Sequence, residues 1–257
     1  MSTGTDPVNG LRILVVGASS GIGRAFAVAA RHRGARVALA ARRTDLLAPL
    51  AAELDGSAHG LDIADSSSIA MAVGAAVTSL GGLDAVVLTS AVVPFAYISE
   101  TEVTTWLHAL TVNAIGASEL IRAARPHLAA NSVVLVASSY DVGRPAAGVG
   151  AYNASKAALN ELLRSWRAEH PDLGIIRASV GPTDGTEILR GADEELLAEL
   201  VSSWSRRGQI PAHMSGVVDV ANTLVTLVGA ARAYPSVVSE AVHLAPRWPG
   251  RASESVS

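Results

Sequence analysis

The chain has 257 residues, of which 49% are hydrophobic and 17% charged, with a formal net charge of -3. This length suits a single α/β domain, and the near-neutral charge offers no basic face for nucleic acid. Because the sequence contains no cysteine, it excludes disulfides, thiolate catalysis and cysteine-held zinc. The polar start lacks a secretory pattern, and the longest apolar passage, AVVLTSAVVPFAYI, is too short to span a bilayer. We therefore expect a cytoplasmic protein with neither a membrane nor a nucleic-acid partner.

Short apolar runs alternate with helical patterns along the chain. The predicted strands, in order, are LRILVVG, ARVALAA, AHGLD, LDAVVLT, NSVVLVASS, LGIIRASV and SVVSEAVHLA. The predicted helices are IGRAFAVAARHRG, TDLLAPLAAELDG, SSSIAMAVGAAVTSLGG, a long helix from about Glu100 to Arg125, GVGAYNASKAALNELLRSWRAEH, ADEELLAELVSSWSRR and VVDVANTLVTLVGAAR. Alternation implies parallel pairing with right-handed crossovers, and uniformly apolar strands indicate a sheet covered on both faces. The sequence predicts one α/β domain over residues 1–257, a doubly wound parallel sheet of the Rossmann type, with loose ends at 1–10 and 248–257.

The turn after the first predicted strand reads VVGASSGIGRA. In such a turn one glycine permits the sharp exit from the strand, a second lets backbone approach a phosphate, and a third lets helix and strand pack closely. The start of the helix then offers free N–H groups and a positive dipole end to a pyrophosphate. A tight βα turn is the structural alternative, but the position between strand and helix favours dinucleotide binding. The predicted cofactor contacts here are Gly17, Ser19, Ser20, Gly21, Ile22 and Gly23.

The second predicted strand ends in ALAARR, and no acidic residue follows before Asp45. An NAD site usually has an acid here, which binds the ribose 2′-hydroxyl. Arg42 and Arg43 instead suit a 2′-phosphate, because a guanidinium is a planar fork of donors. Two solvated arginines opening a helix are the alternative, although cations are slightly unfavourable at that position. The pattern predicts NADP(H) in preference to NAD(H).

The stretch AYNASKAALNELL puts Tyr152 and Lys156 on one face of a predicted helix. Such a pair is also common on ordinary helix surfaces. A ketone that receives a hydride develops an alkoxide, however, so a proton donor has to face that oxygen. A nearby ammonium and an oxidised nicotinamide favour the phenolate form of a tyrosine. We expect these two charges to lower the pKa of Tyr152 from about 10 by about 3 units. Ser139, at the carboxyl end of a central strand, is placed to donate to the developing oxyanion.

Five segments in order, GASSGIG, LDIAD, VNAIGA, VLVASS and YNASK, make the chain resemble the short-chain dehydrogenase/reductase family in its compact, single-domain branch. The resemblance runs from Leu11 to about Leu244. It implies reversible hydride transfer between a nicotinamide and a carbonyl or alcohol carbon. It also implies a homodimer or homotetramer assembled through the long helices and the last strand.

The resemblance assigns roles to individual residues. Tyr152 would be the acid/base and Lys156 its partner, while Ser139 would donate to the substrate oxygen. Asn113 would shape a proton relay, and Asp62 would lie near the adenine. The resemblance thus predicts a catalytic tetrad beside the dinucleotide turn.

Two segments depart from the family pattern. After the fourth strand, TSAVV stands where most members have asparagine, alanine, glycine, and Val92 adds bulk at the cofactor wall. After the sixth strand, VGPTDGTE replaces the usual proline, glycine and threonine pattern, and Thr186 would bond the nicotinamide carboxamide. The remaining predicted cofactor contacts are Ser90, Ala91, Tyr152, Lys156, Pro182 and Thr186. No histidine pair has the spacing of an H-E-x-x-H site, so no metal is predicted.

The predicted substrate is a small, nonpolar ketone or secondary alcohol, because the lid helix has an apolar side, LLAELV. The lid itself is predicted at about residues 185–215. The altered TSAVV segment leaves a second reading open, a redox-silent binding protein of the same fold that senses cofactor. An epimerase or dehydratase with tightly held NAD is a third reading, which the compact length and paired arginines disfavour.

Overall fold

The apolar runs form a seven-stranded parallel sheet in a computed structural model that describes residues 5–210 and 213–247. Its strands are β1 (Arg12–Val16), β2 (Arg36–Ala41), β3 (Ser57–Gly60), β4 (Leu83–Leu88), β5 (Leu128–Ser139), β6 (Gly174–Val180) and β9 (Ala241–Leu244). Two short strands, β7 (Thr183–Asp184) and β8 (Ser215–Gly216), pair separately. The sheet order is β3-β2-β1-β4-β5-β6-β9, so the winding reverses between β1 and β4. In open α/β sheets, ligands bind outside the carboxyl ends of the strands at this reversal.

Helices cover both faces of the sheet, which confirms the predicted doubly wound fold. They are α1 (Gly21–His32), α2 (Thr44–Glu53), α3 (Ser66–Leu80), α4 (Val103–Leu110), α5 (Gly116–Ala124), α6 (Gly150–Glu169), α7 (Glu194–Arg206) and α8 (Val217–Ala233). Buried side chains of α1, α2 and α8 form one hydrophobic cluster with the sheet, and those of α3, α5 and α6 form the other. In the ranges that the structure describes, no helix is both long and apolar enough to cross a bilayer.

The predicted long helix is interrupted at its centre. It begins at Val103 and changes to a π-helical turn over Thr111–Ile115 before α5 continues, and a short 3₁₀ turn at Arg125–His127 ends it. Turns of this kind inside α-helices occur frequently at functional sites. Here the turn contains Asn113, one of the predicted site residues.

The expectation of a loose amino terminus is wrong for residues 5–10. Val8 is fully buried. It packs so closely on α8 that a Cβ on Gly229 would lie 2.8 Å from the Val8 Cγ2 atom. The Asp6 carboxylate also pairs with Arg33 of α1 at 2.8 Å. Burial of one apolar side chain and one ion pair therefore fixes this segment against α1 and α8. Residues 1–4 and the predicted tail 248–257 lie outside the described ranges.

A buried carboxylate ties the amino-terminal end of the sheet together. Asp84 of β4 is 6% exposed and accepts hydrogen bonds from the Arg12 backbone at 3.0 Å and from Arg12 Nε at 2.8 Å. Arg232 of α8 reaches the same carboxylate at 3.3 Å. Burial opposes ionisation of Asp84, but the hydrogen bonds and charges of these arginines outweigh it and lower its pKa. We refer to these three residues as the Asp84 cluster.

Candidate active site

Tyr152 and Lys156 are both buried in the first turns of α6, at 8% and 3% exposure. Lys156 Nζ lies 6.0 Å from the centre of the Tyr152 ring. The same Nζ donates a hydrogen bond to the carbonyl oxygen of Ala137 in β5 at 3.0 Å. Because Ala137 lies two residues before Ser139, this bond holds α6 against the carboxyl end of a central strand. The structure thus brings Ser139, Tyr152 and Lys156 together.

Ser139 ends β5, and its hydroxyl faces the phenol. The hydroxyl accepts a hydrogen bond from the backbone N–H of Asp141 at 3.1 Å, and it lies near enough to the Tyr152 phenol to lower its pKa. A hydroxyl can donate and accept at once. Ser139 therefore stands beside the one phenol that the sequence assigns to proton transfer.

Burial is the largest influence on the pKa values of Tyr152 and Lys156. Burial raises it to about 12, while the hydrogen bond with Ser139 lowers it by less and the charge of Asp141 raises it further. Burial also lowers the pKa of Lys156 to about 8. In the protein alone, the cost of burying a phenolate dominates. The expected lowering by the lysine charge and the oxidised nicotinamide together stays a prediction. At neutral pH the phenol is protonated and most of the lysine is charged.

The side chain of Asn113 is fully engaged by neighbouring residues, and its predicted role in a proton relay stays a prediction. Its side-chain oxygen accepts from the N–H of Val92 at 2.9 Å, and its Nδ2 donates to the Val92 carbonyl at 2.8 Å. Nδ2 also donates to Ser155 Oγ at 2.9 Å, and that hydroxyl donates to the Tyr152 carbonyl at 2.7 Å. Asn113 thereby joins the TSAVV segment to the start of α6.

The bulk of Val92 introduces no backbone strain. Among the non-glycine residues that the structure describes, positive φ occurs at Asp55 and Asn131, so Val92 adopts an ordinary conformation. Its side chain packs against the hydrophobic cluster that includes α3, α5 and α6. The departure from the family pattern at this position is therefore accommodated by packing and by Asn113.

Each of the three glycines of the GASSGIG turn has a distinct geometric requirement. Gly17 has a φ of +93°, and a Cβ there would lie 2.6 Å from Thr89 Oγ1. Gly21 has a φ of +52°, and a Cβ on Gly23 would meet the carbonyl oxygen of Gly17. Helix α1 can approach the turn this closely only because Gly23 has no side chain. The neighbouring Ile22 is half-buried and packs against the core.

Arg43 lies across this turn and already holds an anion. One terminal nitrogen of its guanidinium is 3.1 Å from Ser19 Oγ and 2.9 Å from Ser20 Oγ. The same nitrogen donates to a carboxylate oxygen of Glu187 at 2.7 Å. A site whose donors bind a carboxylate also suits a phosphate, so these residues fit the 2′-phosphate of NADP(H). Arg42 is exposed and lies outside these contacts.

The other predicted cofactor contacts lie at the carboxyl edge of the sheet. Asp62 follows β3 and accepts from the Ala64 N–H at 3.0 Å. Ser90 and Ala91 follow β4, where the Ser90 N–H lies 2.8 Å from the position of a Cβ on Gly17. The remaining two, Pro182 and Thr186, follow β6. In the described part of the chain, no three His, Asp or Glu side chains converge as metal ligands would.

Helix α7, within the predicted lid, packs over the loop that leads into α6. Trp204 Nε1 donates to the Ala147 carbonyl at 2.9 Å, and its ring lies 6.4 Å from that of Phe95. The Tyr97 hydroxyl donates to Glu199 at 2.6 Å. These contacts place two aromatic rings next to the loop that precedes Tyr152.

Three residues at the site were missed from the sequence. Ser155 bridges Asn113 and Tyr152, Asp141 acts on Tyr152 through its charge, and Glu187 binds Arg43. The first two were within reach of sequence reasoning, because both lie within three residues of a predicted catalytic residue. No pattern pointed to Glu187, whose partner is 144 residues away.

Comparisons with known proteins agree with this geometry. A family model described as short chain dehydrogenase matches residues 12–195. The chain is 32% identical over 226 residues to glycine betaine reductase ATRR of Emericella nidulans, covering 85% of this chain but only 18% of that protein. It is 28% identical over 217 residues to the uncharacterized oxidoreductase Lin0452 of Listeria innocua, covering 80% and 88%. A short chain dehydrogenase from Burkholderia cenocepacia, solved with NADP, has the same fold, with a TM-score of 0.81 at 24% identity and coverage of 93% and 98%.

Proposed function

The chain is an oxidoreductase that belongs to the short-chain dehydrogenase family, and we propose that it transfers a hydride between NADP(H) and a small, nonpolar ketone or secondary alcohol. The observation that carries this proposal is the buried phenol of Tyr152 beside the Ser139 hydroxyl, at the carboxyl end of a central strand. Open α/β sheets bind ligands at that edge. A protonated phenol beside a hydroxyl donor suits the reduction of a carbonyl, whose oxygen has to be protonated.

In this mechanism the bound nicotinamide supplies the hydride, and the protein manages the oxygen of the substrate. Ser139 donates a hydrogen bond to that oxygen, and Tyr152 gives it a proton. Lys156, held by the Ala137 carbonyl at 3.0 Å, provides the positive charge that favours the resulting phenolate. Asn113 and Ser155 are positioning residues, because their hydrogen bonds fix the start of α6, which carries the Tyr152 phenol.

The preference for NADP(H) is supported by Arg43 and the hydroxyls of Ser19 and Ser20. Arg43 binds both serine hydroxyls and a carboxylate at the end of β2, where the family binds the adenosine ribose. The similar structure from Burkholderia cenocepacia is a complex with NADP. Dissociation constants for NADPH and NADH, measured by titration of the purified protein, test the preference. Tighter binding of NADH would overturn it.

A nonpolar substrate is supported by the side chains that α7 brings to the loop before α6. Phe95 and Trp204 face each other there, and both rings keep part of their surface exposed. Such walls favour apolar substrate groups because they remove nonpolar surface from water.

Oxidation of NADPH against a panel of ketones and aldehydes tests the activity directly. We expect turnover with small apolar ketones and weaker turnover with charged analogues of equal size. If NADPH binds but no carbonyl of the panel oxidises it, the redox-silent, cofactor-sensing alternative would replace this proposal.

A homodimer or homotetramer is supported by an exposed apolar stripe along α4 and the π turn. Val103, Leu107 and Ile115 are 71%, 58% and 53% exposed, and large exposed apolar patches commonly mark interaction sites. We expect light scattering to give two or four times the 26.3 kDa mass of the chain. The variant Leu107→Glu should shift the mass distribution towards the monomer.

A further inference from the structure

The carboxylate of Glu187 occupies the anion site at the glycine turn. One of its oxygens accepts a hydrogen bond from Arg43 at 2.7 Å, and the Ser20 hydroxyl, bound to the same Arg43 nitrogen, lies near it. These contacts, Arg43 first, hold the pKa of Glu187 below its ordinary value, so the group is ionised at neutral pH. An anion supplied by the chain itself therefore sits among the donors that fit a 2′-phosphate.

The backbone next to Glu187 fixes this arrangement. Thr186 lies against the turn, with its Cα atom 3.6 Å from the position of a Cβ on Gly21. The Thr186 hydroxyl donates to the Thr183 carbonyl at 3.1 Å, which ties the segment to β7. The segment between β7 and Glu187 is short and hydrogen-bonded, and it positions the Glu187 carboxylate next to Arg43 at the start of the predicted lid.

The Arg43 nitrogen that binds Glu187 carries two hydrogens, and three acceptors already share them. The nitrogen that binds the carboxylate is also the one within 3.1 Å of both serine hydroxyls. A phosphate that takes these three donors has to displace the carboxylate. A second cation, Arg190, lies 3.7 Å from the same carboxylate oxygen and can keep it as a partner after displacement.

We propose that Glu187 is a specificity-determining residue for the cofactor, because its carboxylate competes with the 2′-phosphate of NADP(H) for Arg43. This inference rests on the proposed use of NADP(H). Glu187 therefore reduces the preference of the protein for NADP(H) over NAD(H), because a ligand without a 2′-phosphate does not need to displace its carboxylate. The cost of displacement is modest, because the pair is partly exposed, at 27% for Arg43 and 43% for Glu187.

Two adenosine ligands isolate this competition from the rest of the cofactor. Adenosine 2′,5′-bisphosphate carries the 2′-phosphate, and AMP lacks it, while neither has a nicotinamide. We expect Glu187→Gln to tighten binding of the bisphosphate about two- to fivefold, the range for one partly exposed ion pair. Binding of AMP should stay within error. Calorimetric titration of both ligands measures the dissociation constants without any turnover.

Two further variants serve as controls. Glu195→Gln removes an equal charge from the exposed first turn of α7, away from Arg43, and should leave both constants unchanged. Glu187→Gln in an Arg43→Gln background should no longer tighten the bisphosphate, because the shared donor is gone. An unchanged or equal effect on both ligands in the single variant would overturn the competition.

The same titrations separate this inference from the proposed function. If the wild-type protein does not prefer the bisphosphate over AMP, the assignment of NADP(H) fails. If it does prefer the bisphosphate and Glu187→Gln leaves that preference unchanged, only the role of Glu187 fails.

Discussion

The two ends of the sheet treat buried charge in opposite ways. At the amino-terminal end, Asp84 is surrounded by donors from Arg12 and Arg232, and its pKa is lowered despite burial. At the carboxyl end, Lys156 has one backbone carbonyl as its hydrogen-bond acceptor, and burial lowers its pKa to about 8. Burial likewise raises the pKa of Tyr152 to about 12. The first end favours charged side chains, and the second disfavours them.

This difference separates a structural cluster from a reactive one. The Asp84 carboxylate has its hydrogen-bond donors in place, and they favour its ionised form. The Asp84 cluster therefore stabilises the fold and takes no part in proton transfer. Groups whose charged forms are disfavoured have perturbed pKa values, and such groups concentrate at functional sites. A charged ligand that binds next to Tyr152 and Lys156 can then change their protonation states. The contrast predicts that substitutions at the two ends affect different observables.

The largest effect is expected at the reactive end. Tyr152→Phe removes the proton donor and should lower kcat for carbonyl reduction about 10²- to 10⁴-fold, the usual contribution of general acid catalysis. The dissociation constant for NADPH and the melting temperature should change little, because only the hydroxyl is lost. Steady-state kinetics and a thermal melt measure the two outcomes. Retention of more than a tenth of the activity would remove Tyr152 from the chemistry.

Tyr234→Phe is the matched control for that variant. Tyr234 is 69% exposed at the end of α8, on the far side of the sheet from the phenol of Tyr152. Loss of its hydroxyl should leave kcat unchanged. Equal losses in both variants would point to a general effect of the substitution.

The pH profile of the reaction should show the deprotonation of Lys156. The value of kcat/KM for carbonyl reduction should fall about tenfold per pH unit above pH 8, where the free enzyme loses the lysine charge. The phenol stays protonated to about pH 12 and sets no limb in this range. Lys156 is the only lysine of the chain, so labelled lysine should give one side-chain NMR signal that titrates at the same pH. A midpoint near the ordinary value of 10.5 would contradict the effect of burial.

The structural end should respond through stability. Asp84→Asn leaves two arginines without their anion and should lower the free energy of unfolding by about 2–3 kcal/mol at pH 7. Urea unfolding measures this loss, and kcat of the folded protein should be unchanged. Asp55→Asn is the control, because that carboxylate is 92% exposed and 3.5 Å from Arg31, and we expect less than about 0.5 kcal/mol.

The contribution of Asp84 should also depend on pH in one direction. Its folded pKa is below the ordinary 3.8, so the stabilisation is fully present above about pH 4. It is lost as the pH falls through the folded value, where the native carboxylate takes up its proton. The difference between wild type and Asp84→Asn should therefore shrink at acid pH. A difference that grows there would contradict the assigned pKa direction.

The sequence predicted the fold well because alternation and apolar strands are local signals. The GASSGIG turn was predicted for a related reason, since the positive φ of Gly17 and Gly21 and the contact of Gly23 with the Gly17 carbonyl arise within seven residues. The close approach of Thr89 to Gly17 and Gly23 is the part that the local sequence did not reveal. The pKa of Tyr152 was not predictable, because it depends on burial by elements that are distant in the sequence. Arg43 and Glu187 are 144 residues apart, and no periodicity links them. Local geometry is readable from sequence, whereas the electrostatic state of the site is not.

The same contrast predicts that removal of the other buried charge stabilises the protein. Burial of the Lys156 ammonium lowers its pKa from 10.5 to about 8, which corresponds to a cost of roughly 3 kcal/mol at pH 7. Lys156→Met removes that cost but also the hydrogen bond to Ala137, worth about 1 kcal/mol. We expect a net gain of about 1–2 kcal/mol in the free energy of unfolding, together with loss of activity.

The pH dependence of that gain is the sharper test. Below pH 8 the lysine is charged in both the native and the unfolded chain, so the cost is complete. Between pH 8 and 10.5 the unfolded chain holds a proton that the native state has released, and wild-type stability rises with pH. The advantage of the methionine variant should therefore disappear by about pH 10.5, in urea unfolding at matched ionic strength. If Lys156→Met is less stable than wild type at pH 7, the ammonium has stabilising partners beyond the Ala137 carbonyl. The buried charges of Asp84 and Lys156 would then both stabilise the folded protein, and the contrast between the two ends of the sheet would not extend to stability.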